Sequence, residues 1–203
     1  MKFSVIVADC PWSFVDHLKN SDVKRGASSN YSTMSVDQIA DIPVRDISDP
    51  TGSVLALWTP ASLLWDGLVV MNAWGFHLKQ CWVWVKVKKG YKTIQEPAEM
   101  LSFGLGRLGR NCNELVLIGT QGKIYNKLKD RSQRTVFFAP NEKHSKKPEI
   151  LQDRLELMFK NEENKRLEMF ARRERKGWVC LGNECPGTIN EDINISIEKL
   201  KGK

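Results

Sequence analysis

Short, uninterrupted apolar runs separated by helical patterns constrain the fold of this chain more than any other feature. An apolar run without polar alternation is typical of a strand buried on both faces, as in a parallel sheet covered by helices. We predict seven strands: 3–9, 53–58, 80–87, 114–120, 134–140, 166–171 and 177–182. Apolar residues at helical spacing predict helices over 35–42, 61–74 and 148–159. The pattern indicates an α/β fold with a mostly parallel central sheet flanked by helices, in which ligands bind beyond the carboxyl ends of the strands.

The length of 203 residues predicts one main domain, which we assign to residues 1–185. The tail, residues 186–203, shows no strong core pattern, and we expect it to form a peripheral helix or to be frayed. No apolar run approaches the roughly 18 residues that a membrane span needs. The first residues lack the cleavage site of a secretion signal. These observations predict a cytoplasmic protein with no membrane partner.

The charge balance favours a polyanionic partner. The formal net charge is +7, and seven tryptophans accompany the cations, a combination suited to phosphate contact and base stacking. A solvated basic surface accounts for the charge equally well. The five cysteines have irregular spacing without a matching histidine pair, so we expect no metal site.

The first strand ends in Asp9, Cys10, Pro11 and Trp12, and this stretch is the strongest candidate for a catalytic site. A lone acid after a strand can be a turn residue or a helix cap. Pro11, however, restricts the backbone of Cys10 and fixes the direction of the Cys10 carbonyl near the Asp9 carboxylate. These two acceptors could bind both hydrogens of an aryl amine, while Trp12 could stack on its ring. The arrangement predicts recognition of an aryl amine, such as the N6 amine of adenine.

At these residues the chain resembles a known family. VADCPW is similar to the DPPW motif of adenine-N6 methyltransferases related to the messenger-RNA adenosine methyltransferase subunit, which include bacterial and phage members. Further similar segments follow in the family's order: 30–44, 55–60, 73–76, 81–86, 144–150, 167–172 and 177–184. The resemblance implies a Rossmann-like fold and transfer of a methyl group from S-adenosylmethionine to the N6 amine of adenine. It argues against the capping interpretation of Asp9.

The resemblance also implies roles for single residues. The target adenine would lie against Asp9, the Cys10 carbonyl, Pro11 and Trp12. The cofactor would be bound by Lys147 near its carboxylate, by Arg172, and by Asn183 and Glu184 at its ribose, with Asp9 beside it. The chain departs from the family in one place, because Cys10 stands where the family usually has proline. The carbonyl is retained, and amino methylation needs no cysteine nucleophile.

Substrate contacts are expected from residues outside these motifs. The candidates are Tyr31, the cations Lys86, Lys88 and Lys89, and Arg107 and Arg110 in a glycine-containing loop. The lysine run could instead be a solvated face. Gly104, Gly106 and Gly109 have the spacing of a dinucleotide motif, but no clear βαβ unit surrounds them, so we do not expect an NAD site. His144 is expected to have a structural or phosphate-facing role, and the less regular segments 13–34, 86–113 and 121–133 are candidates for binding loops.

The substrate is expected to be DNA rather than RNA, because the chain is compact and has no zinc finger or long partner-binding helix. The competing interpretation is a catalytically silent subunit that binds nucleic acid for an active partner. Retention of Asp9 and Trp12 argues against it. Oligomerisation is possible, and the sequence specifies no recognition site.

Overall fold

The computed structural model describes residues 1–13, 33–90, 111–141, 146–161 and 163–202. Within these residues seven strands form one sheet in the order β5-β3-β4-β2-β1-β6-β7. The strands are β1 Val5–Ala8, β2 Gly52–Thr59, β3 His77–Val87, β4 Asn113–Gly122, β5 Val136–Pro140, β6 Arg166–Met169 and β7 Val179–Leu181. Each predicted strand is therefore present, and the predicted α/β class is confirmed.

The sheet is mixed by one strand only. β1 is parallel to β2 and to β6, β6 is parallel to β7, and β3 is parallel to β5. β4 is antiparallel to both of its neighbours, β2 and β3. The start of β4 therefore lies at the same edge of the sheet as the carboxyl ends of the other six strands, which brings its first residues towards the expected site.

Helices cover both faces of the sheet, as the unbroken apolar strands require. The helices are α1 Val36–Ala40, α2 Leu64–Ala73, α3 Ile150–Met158 and α4 Ile193–Lys201. Buried residues of α1, α2 and α4 join one hydrophobic cluster on the sheet, and buried residues of α3 join a second cluster that contains Trp58, Trp82 and Trp84. Ser35 is the N-cap of α1, where Ser35 and Gln38 form a reciprocal capping box.

The tail forms a helix, α4, as one of the two expected alternatives, but the expectation that it has no strong core pattern is wrong. Three residues of α4, Ile193, Ile197 and Leu200, are buried in the same hydrophobic cluster as Ile6 and Ala8 of β1. Their spacing of four and three residues places them on one helical face. The amino group of Met1 also donates a hydrogen bond to the Leu200 carbonyl at 2.6 Å. The tail thus packs against the domain, although the domain boundary at residue 185 stays a prediction.

One of the three candidate binding loops lies far from the expected site. β4 ends at Gly122, which pairs with Gly52, the first residue of β2. Segment 121–133 therefore begins at the edge opposite the carboxyl ends, where Lys127 binds Ser4, Asp49 and the Gly52 carbonyl. Lys127 is therefore placed to stabilise the edge opposite the expected site. Most of 13–34 and 86–113 lies outside the described residues.

Two observations concern the described residues alone. None of their helices is long and apolar enough to cross a membrane. They also contain no group of three or more His, Cys, Asp or Glu side chains arranged to bind a metal ion.

Candidate active site

The predicted site residues of three strands meet at one edge of the sheet. Asp9 directly follows β1, Arg172 comes three residues after β6, and Asn183 two residues after β7. Because these strands are adjacent and parallel, their carboxyl ends lie side by side. Three polar residues from distant segments of the sequence therefore lie at one edge of the sheet, and their roles stay predictions.

The backbone after β1 is fixed by its own hydrogen bonds. The amide of Trp12 donates to the Cys10 carbonyl at 2.9 Å, and the amide of Met34 donates to the Pro11 carbonyl at 2.8 Å. The Cys10 carbonyl therefore accepts one internal hydrogen bond and keeps one lone pair for a ligand. The Cys10 thiol is buried, and burial together with the charge of Asp9 raises its pKa well above the usual value. This fits the expectation that only the backbone of Cys10 is used.

Trp12 differs from its predicted role. Its side chain is only 4% exposed and packs in the hydrophobic cluster under α1. Its indole N–H donates to the Trp58 carbonyl at 3.0 Å, which joins the end of β1 to the end of β2. The ring therefore has no open face for stacking on a base in this structure. The geometry assigns Trp12 to anchoring the Asp-Cys-Pro segment, and the stacking expectation is corrected accordingly.

Lys147 contacts the Asp9 carboxylate directly. Its ammonium group lies 2.9 Å from Asp9 Oδ1 and 3.3 Å from Glu114 Oε2, and 5.7 Å from the centre of the Trp58 ring. The sequence-based expectation placed Lys147 at the carboxylate of the cofactor. In the structure its ammonium group lies between the Asp9 and Glu114 carboxylates, and the contact with the cofactor stays a prediction.

Glu114 is a candidate site residue that sequence reasoning missed. It is the second residue of β4, and the reversed direction of β4 brings it to the carboxyl edge of the parallel strands. Its carboxylate binds Lys147 and also Lys86 Nζ, at 2.5 Å. Asp9, Lys147, Glu114 and Lys86 thus form a chain of alternating charges whose sum is zero. We call these four side chains the acid–lysine chain.

Burial and the neighbouring charges shift the pKa values along the acid–lysine chain. Burial raises the pKa of Asp9, and the attraction of Lys147 offsets this only in part, because Glu114 repels the Asp9 charge. Burial also acts to raise the pKa of Glu114, but Lys147 and Lys86 outweigh it and lower that pKa. Burial acts to lower the pKa of Lys147, but the two carboxylates outweigh it and raise that pKa, so Lys147 carries a full positive charge.

A second group of polar residues lies where β6 and β7 end. Phe170, just after β6, has a φ of +60°, a conformation that bulky side chains rarely adopt. After this turn the amide of Ala171 binds the Leu181 carbonyl at 2.8 Å. Gly182 lies so close to Ala171 that a Cβ atom would come within 2.1 Å of the Ala171 carbonyl oxygen. Strained backbone of this kind is characteristic of functional sites, and here it brings the two chain segments together.

The close approach at Gly182 places the predicted cofactor residues beside each other. Arg172 Nη1 lies 3.8 Å from Glu184 Oε2, and both side chains are at least one-third exposed. The following loop is held by Thr188, whose hydroxyl accepts from the Gly182 amide and donates to the Gly182 carbonyl, both at 2.9 Å. The Asn183 carbonyl accepts from the Asn190 amide. Sequence reasoning also missed Thr188, whose only signal is its place five residues after Asn183.

This donor set fits the polar parts of an adenosyl cofactor. The set consists of an exposed guanidinium, a carboxylate and an amide, which can bind a carboxylate and vicinal hydroxyls. The close backbone approach at Gly182 holds the two segments that carry these side chains next to each other. We call Arg172, Asn183 and Glu184 the strand-end triad. Lys147 belongs to the other side of the site, as its contacts show.

The predicted substrate residues have different outcomes. Lys86 is 16% exposed, binds Glu114 and lies 5.1 Å from the centre of the Trp84 ring, so it is a member of the acid–lysine chain and not a solvated phosphate ligand. Lys88 and Lys89 are exposed just after β3, at the site's edge of the sheet. The remaining candidates lie outside the described residues: Tyr31, Arg107, Arg110, His144 and the glycines at 104, 106 and 109.

Comparison with known proteins identifies what this arrangement is similar to. The MT-A70 family model matches residues 3–184, which include the acid–lysine chain and the strand-end triad. The type II methyltransferase M.MunI of a Mycoplasma species is 26% identical over 199 residues, which cover 91% of this chain and 78% of that protein. A probable N(6)-adenosine-methyltransferase MT-A70-like protein of Oryza sativa subsp. japonica is 28% identical over 192 residues, 92% of this chain and 23% of that protein. The N(6)-adenine-specific methyltransferase METTL4 of Mus musculus is 27% identical over 209 residues, 97% of this chain and 40% of that protein.

Proposed function

The chain belongs to the MT-A70 family, and from that membership we propose that it transfers a methyl group from S-adenosylmethionine to the N6 amine of adenine in DNA. The observation that carries the proposal is the Asp9 carboxylate. It is 27% exposed at the end of β1 and is held by Lys147, while the strand-end triad lies at the ends of the adjacent strands β6 and β7. The proposed acceptor for the amine and the residues proposed to bind the methyl donor thus lie at the same edge of the sheet.

When bound, S-adenosylmethionine supplies a methyl group already activated on a sulfonium. The protein then has to bind, orient and desolvate the amine. Asp9 and the remaining lone pair of the Cys10 carbonyl accept hydrogen bonds from the two amine hydrogens. This favours a pyramidal nitrogen whose lone pair points out of the plane of the ring. Lys147 and the anchoring bond from Trp12 to the Trp58 carbonyl hold the acceptors in place.

The amine gives up one proton in the course of methylation. Asp9 is the carboxylate placed to take it, because burial raises its pKa and brings it closer to the range in which a carboxylate can accept a proton. Glu114 has a lowered pKa and stays ionised, so it serves to hold Lys147 and Lys86. The two acids therefore have different roles, set by their surroundings.

One observation favours DNA over RNA. The similarity to the type II methyltransferase extends over most of both chains, whereas this chain spans about a quarter of the rice protein named for adenosine, a ribonucleoside. A duplex substrate would require extrusion of the adenine, at a cost of a few kcal/mol that a single strand avoids.

The exposed Lys88 and Lys89 are proposed as phosphate contacts. They follow β3 at the edge that carries Asp9, and phosphate neutralisation makes nucleic-acid binding steeply dependent on salt. Reversal of both lysines to glutamate should flatten the dependence of binding on salt without changing cofactor affinity. An unchanged slope would identify them as a solvated face.

The experiment that tests the function is a tritiated-methyl transfer assay on single-stranded DNA, duplex DNA and RNA of one sequence, followed by nucleoside analysis. The proposal expects N6-methyldeoxyadenosine. Methylation of RNA alone would overturn the choice of substrate. Cofactor and nucleic-acid binding without transfer on any of the three would instead support a catalytically silent subunit.

A further inference from the structure

A single arginine in the loop between β6 and β7 binds three acids on helix α3. Arg175 donates from Nε to Glu156 at 2.8 Å, from Nη1 to Glu149 at 2.7 Å and from Nη2 to Asp153 at 2.5 Å. All three guanidinium nitrogens are therefore bonded, and the side chain is 15% exposed. The acids follow one another at intervals of four and three residues, so they lie on one face of the helix.

The loop is shaped to present this side chain. Gly177 has a φ of +80°, and the Trp178 amide donates to the Arg175 carbonyl at 3.1 Å, which closes a tight turn that favours glycine at this position. The Trp178 indole N–H donates to Glu156 at 2.6 Å. Arg173 adds a contact to Glu149 at 2.6 Å. We call the contacts of Arg175 with the three acids the loop–helix clamp.

Both ends of the clamp lie beside the site. Arg175 comes three residues after Arg172 of the strand-end triad, and Glu149 comes two residues after Lys147 of the acid–lysine chain. Only Pro148 separates Lys147 from Glu149, and Pro148 has a restricted backbone. A shift of α3 relative to the loop would therefore be passed to Lys147 on one side and to Arg172 on the other.

We infer that Arg175 is a positioning residue, which holds the Lys147 segment in register with the Arg172 loop so that Lys147 stays bound between Asp9 and Glu114. Arg175 contacts none of the reacting groups itself. The part of this inference that concerns methyl transfer rests on the proposed function. The part that concerns the position of Lys147 does not.

The first test measures the chemical accessibility of Lys147 and requires no activity. Brief acylation of the folded protein with an amine-reactive ester, followed by peptide mass spectrometry, gives a labelling rate for each lysine. In the wild type Lys147 should be labelled slowly and the exposed Lys88 quickly, because Lys147 is ion-paired and 17% exposed. Arg175→Gln should raise the labelling rate of Lys147 about tenfold, the scale on which loss of an orienting partner changes a site.

Lys127→Gln is the matched control. Lys127 also makes three polar contacts, with Ser4, Asp49 and Gly52, but at the opposite edge of the sheet. Both substitutions should lower the melting temperature, and only Arg175→Gln should release Lys147. If both variants lose stability and the Lys147 labelling rate stays at its wild-type value in each, the clamp is structural only and the inference is overturned.

The second test uses the pH dependence of methyl transfer. Release of Lys147 removes a charge that lowers the pKa of Asp9, so Arg175→Gln should move the acid limb of kcat/KM to higher pH. The same substitution in a Lys147→Gln background should not move it further. Equal shifts in both backgrounds would overturn the inference. If the wild type transfers no methyl group while Lys147 labelling still responds to Arg175→Gln, the proposed function fails and the positioning role stands.

Milder variants keep the inference testable if Arg175→Gln does not fold. Glu156→Gln and Asp153→Asn each weaken one arm of the clamp, and Arg175→Lys keeps the charge but loses the three-way geometry. Lys147 labelling should rise in Arg175→Lys and less in the single-arm variants. Wild-type labelling in all three folded variants would overturn the inference.

Discussion

The two halves of the site are built in opposite ways. The acid–lysine chain is a set of mostly buried side chains with contacts of 2.5 to 3.3 Å, and its charges balance without any ligand. The strand-end triad is exposed, and the ion pair between Arg172 and Glu184 is long at 3.8 Å. The side that would hold the amine is thus organised in advance by its own electrostatics. The side that would hold the cofactor has a backbone fixed by close contacts, while its three side chains are exposed to solvent.

The difference predicts which measurement, turnover or affinity, responds to a change in each half of the site. A preorganised acceptor does not have to be ordered during the reaction, so disturbing it should reduce turnover. An exposed donor set exchanges water for ligand, so losing one member should reduce affinity by a modest factor. Variants of the two halves should therefore separate into a turnover class and an affinity class.

The largest effect is expected for Asp9. Asp9→Ala removes an acceptor of the amine hydrogens and should lower methyl transfer by at least about a hundredfold, the scale of a lost acid–base group. Asp9→Asn should be nearly as damaging, because an amide is a weaker acceptor and can present its NH₂ group. Binding of S-adenosylmethionine, measured by calorimetry, should stay within a few-fold of the wild type. A fully active Asp9→Ala enzyme would remove the amine-binding role and restore the interpretation of Asp9 as a capping residue.

The next effect sharpens the electrostatic description of the chain. The charge of Lys147 lowers the pKa of Asp9 and the charge of Glu114 raises it. Lys147→Gln should therefore move the acid limb of kcat/KM to higher pH, and Glu114→Gln should move it to lower pH. The rate falls at low pH because a protonated Asp9 carboxyl no longer accepts a hydrogen bond from the amine. pH–rate profiles of the two variants measure the shifts, and shifts in the same direction would contradict the assignment of Asp9 as the titrating acid.

A smaller effect is expected in the strand-end triad. Asn183→Ala should weaken binding of S-adenosylmethionine by roughly 2- to 12-fold, which corresponds to one net hydrogen bond of about 0.5–1.5 kcal/mol. Turnover at saturating cofactor should stay close to the wild-type value. Asn190→Gly is a suitable control, because Asn190 contacts Asn183 through its backbone amide and glycine accepts the φ of +58° at this position. Unchanged cofactor affinity in Asn183→Ala would remove Asn183 from the site and break the proposed division.

Sequence reasoning succeeds for the elements whose signal is local. The strands are continuous apolar runs, and the position of Asp9 follows from the end of the first run. Glu114 was missed because its place depends on the direction of β4, which no residue of β4 records. The same holds for Lys147, whose partners are 138 residues and 33 residues away in sequence. Trp12 was misjudged because burial depends on α1 and β2, which pack around it only in the fold.

The clamp shows a signal that was present but not used. Glu149, Asp153 and Glu156 form an acidic stripe at helical spacing opposite the apolar residues Leu151 and Leu155. Such a stripe predicts a cationic partner as readily as a solvated face, and only the fold identifies Arg175 as that partner. Charge patterns on helices indicate candidate contacts, while the topology decides between them.

The smallest effect is expected at Cys10, although it lies between Asp9 and Pro11. Its thiol is buried with a raised pKa and faces the hydrophobic cluster, so the side chain contributes packing while the carbonyl contributes the acceptor. Cys10→Ala should keep methyl transfer within about twofold and cost about 1 kcal/mol of unfolding free energy for the small cavity. Cys10→Pro restores the residue usual in the family, keeps the carbonyl, and should be equally active or better, because it stiffens the segment that holds Asp9. Single-turnover assays and thermal unfolding of the two variants separate these contributions. A folded Cys10→Ala enzyme without activity would show that the thiol itself takes part in the chemistry. The side chain of Cys10, and not only its carbonyl, would then belong to the preorganised half of the site.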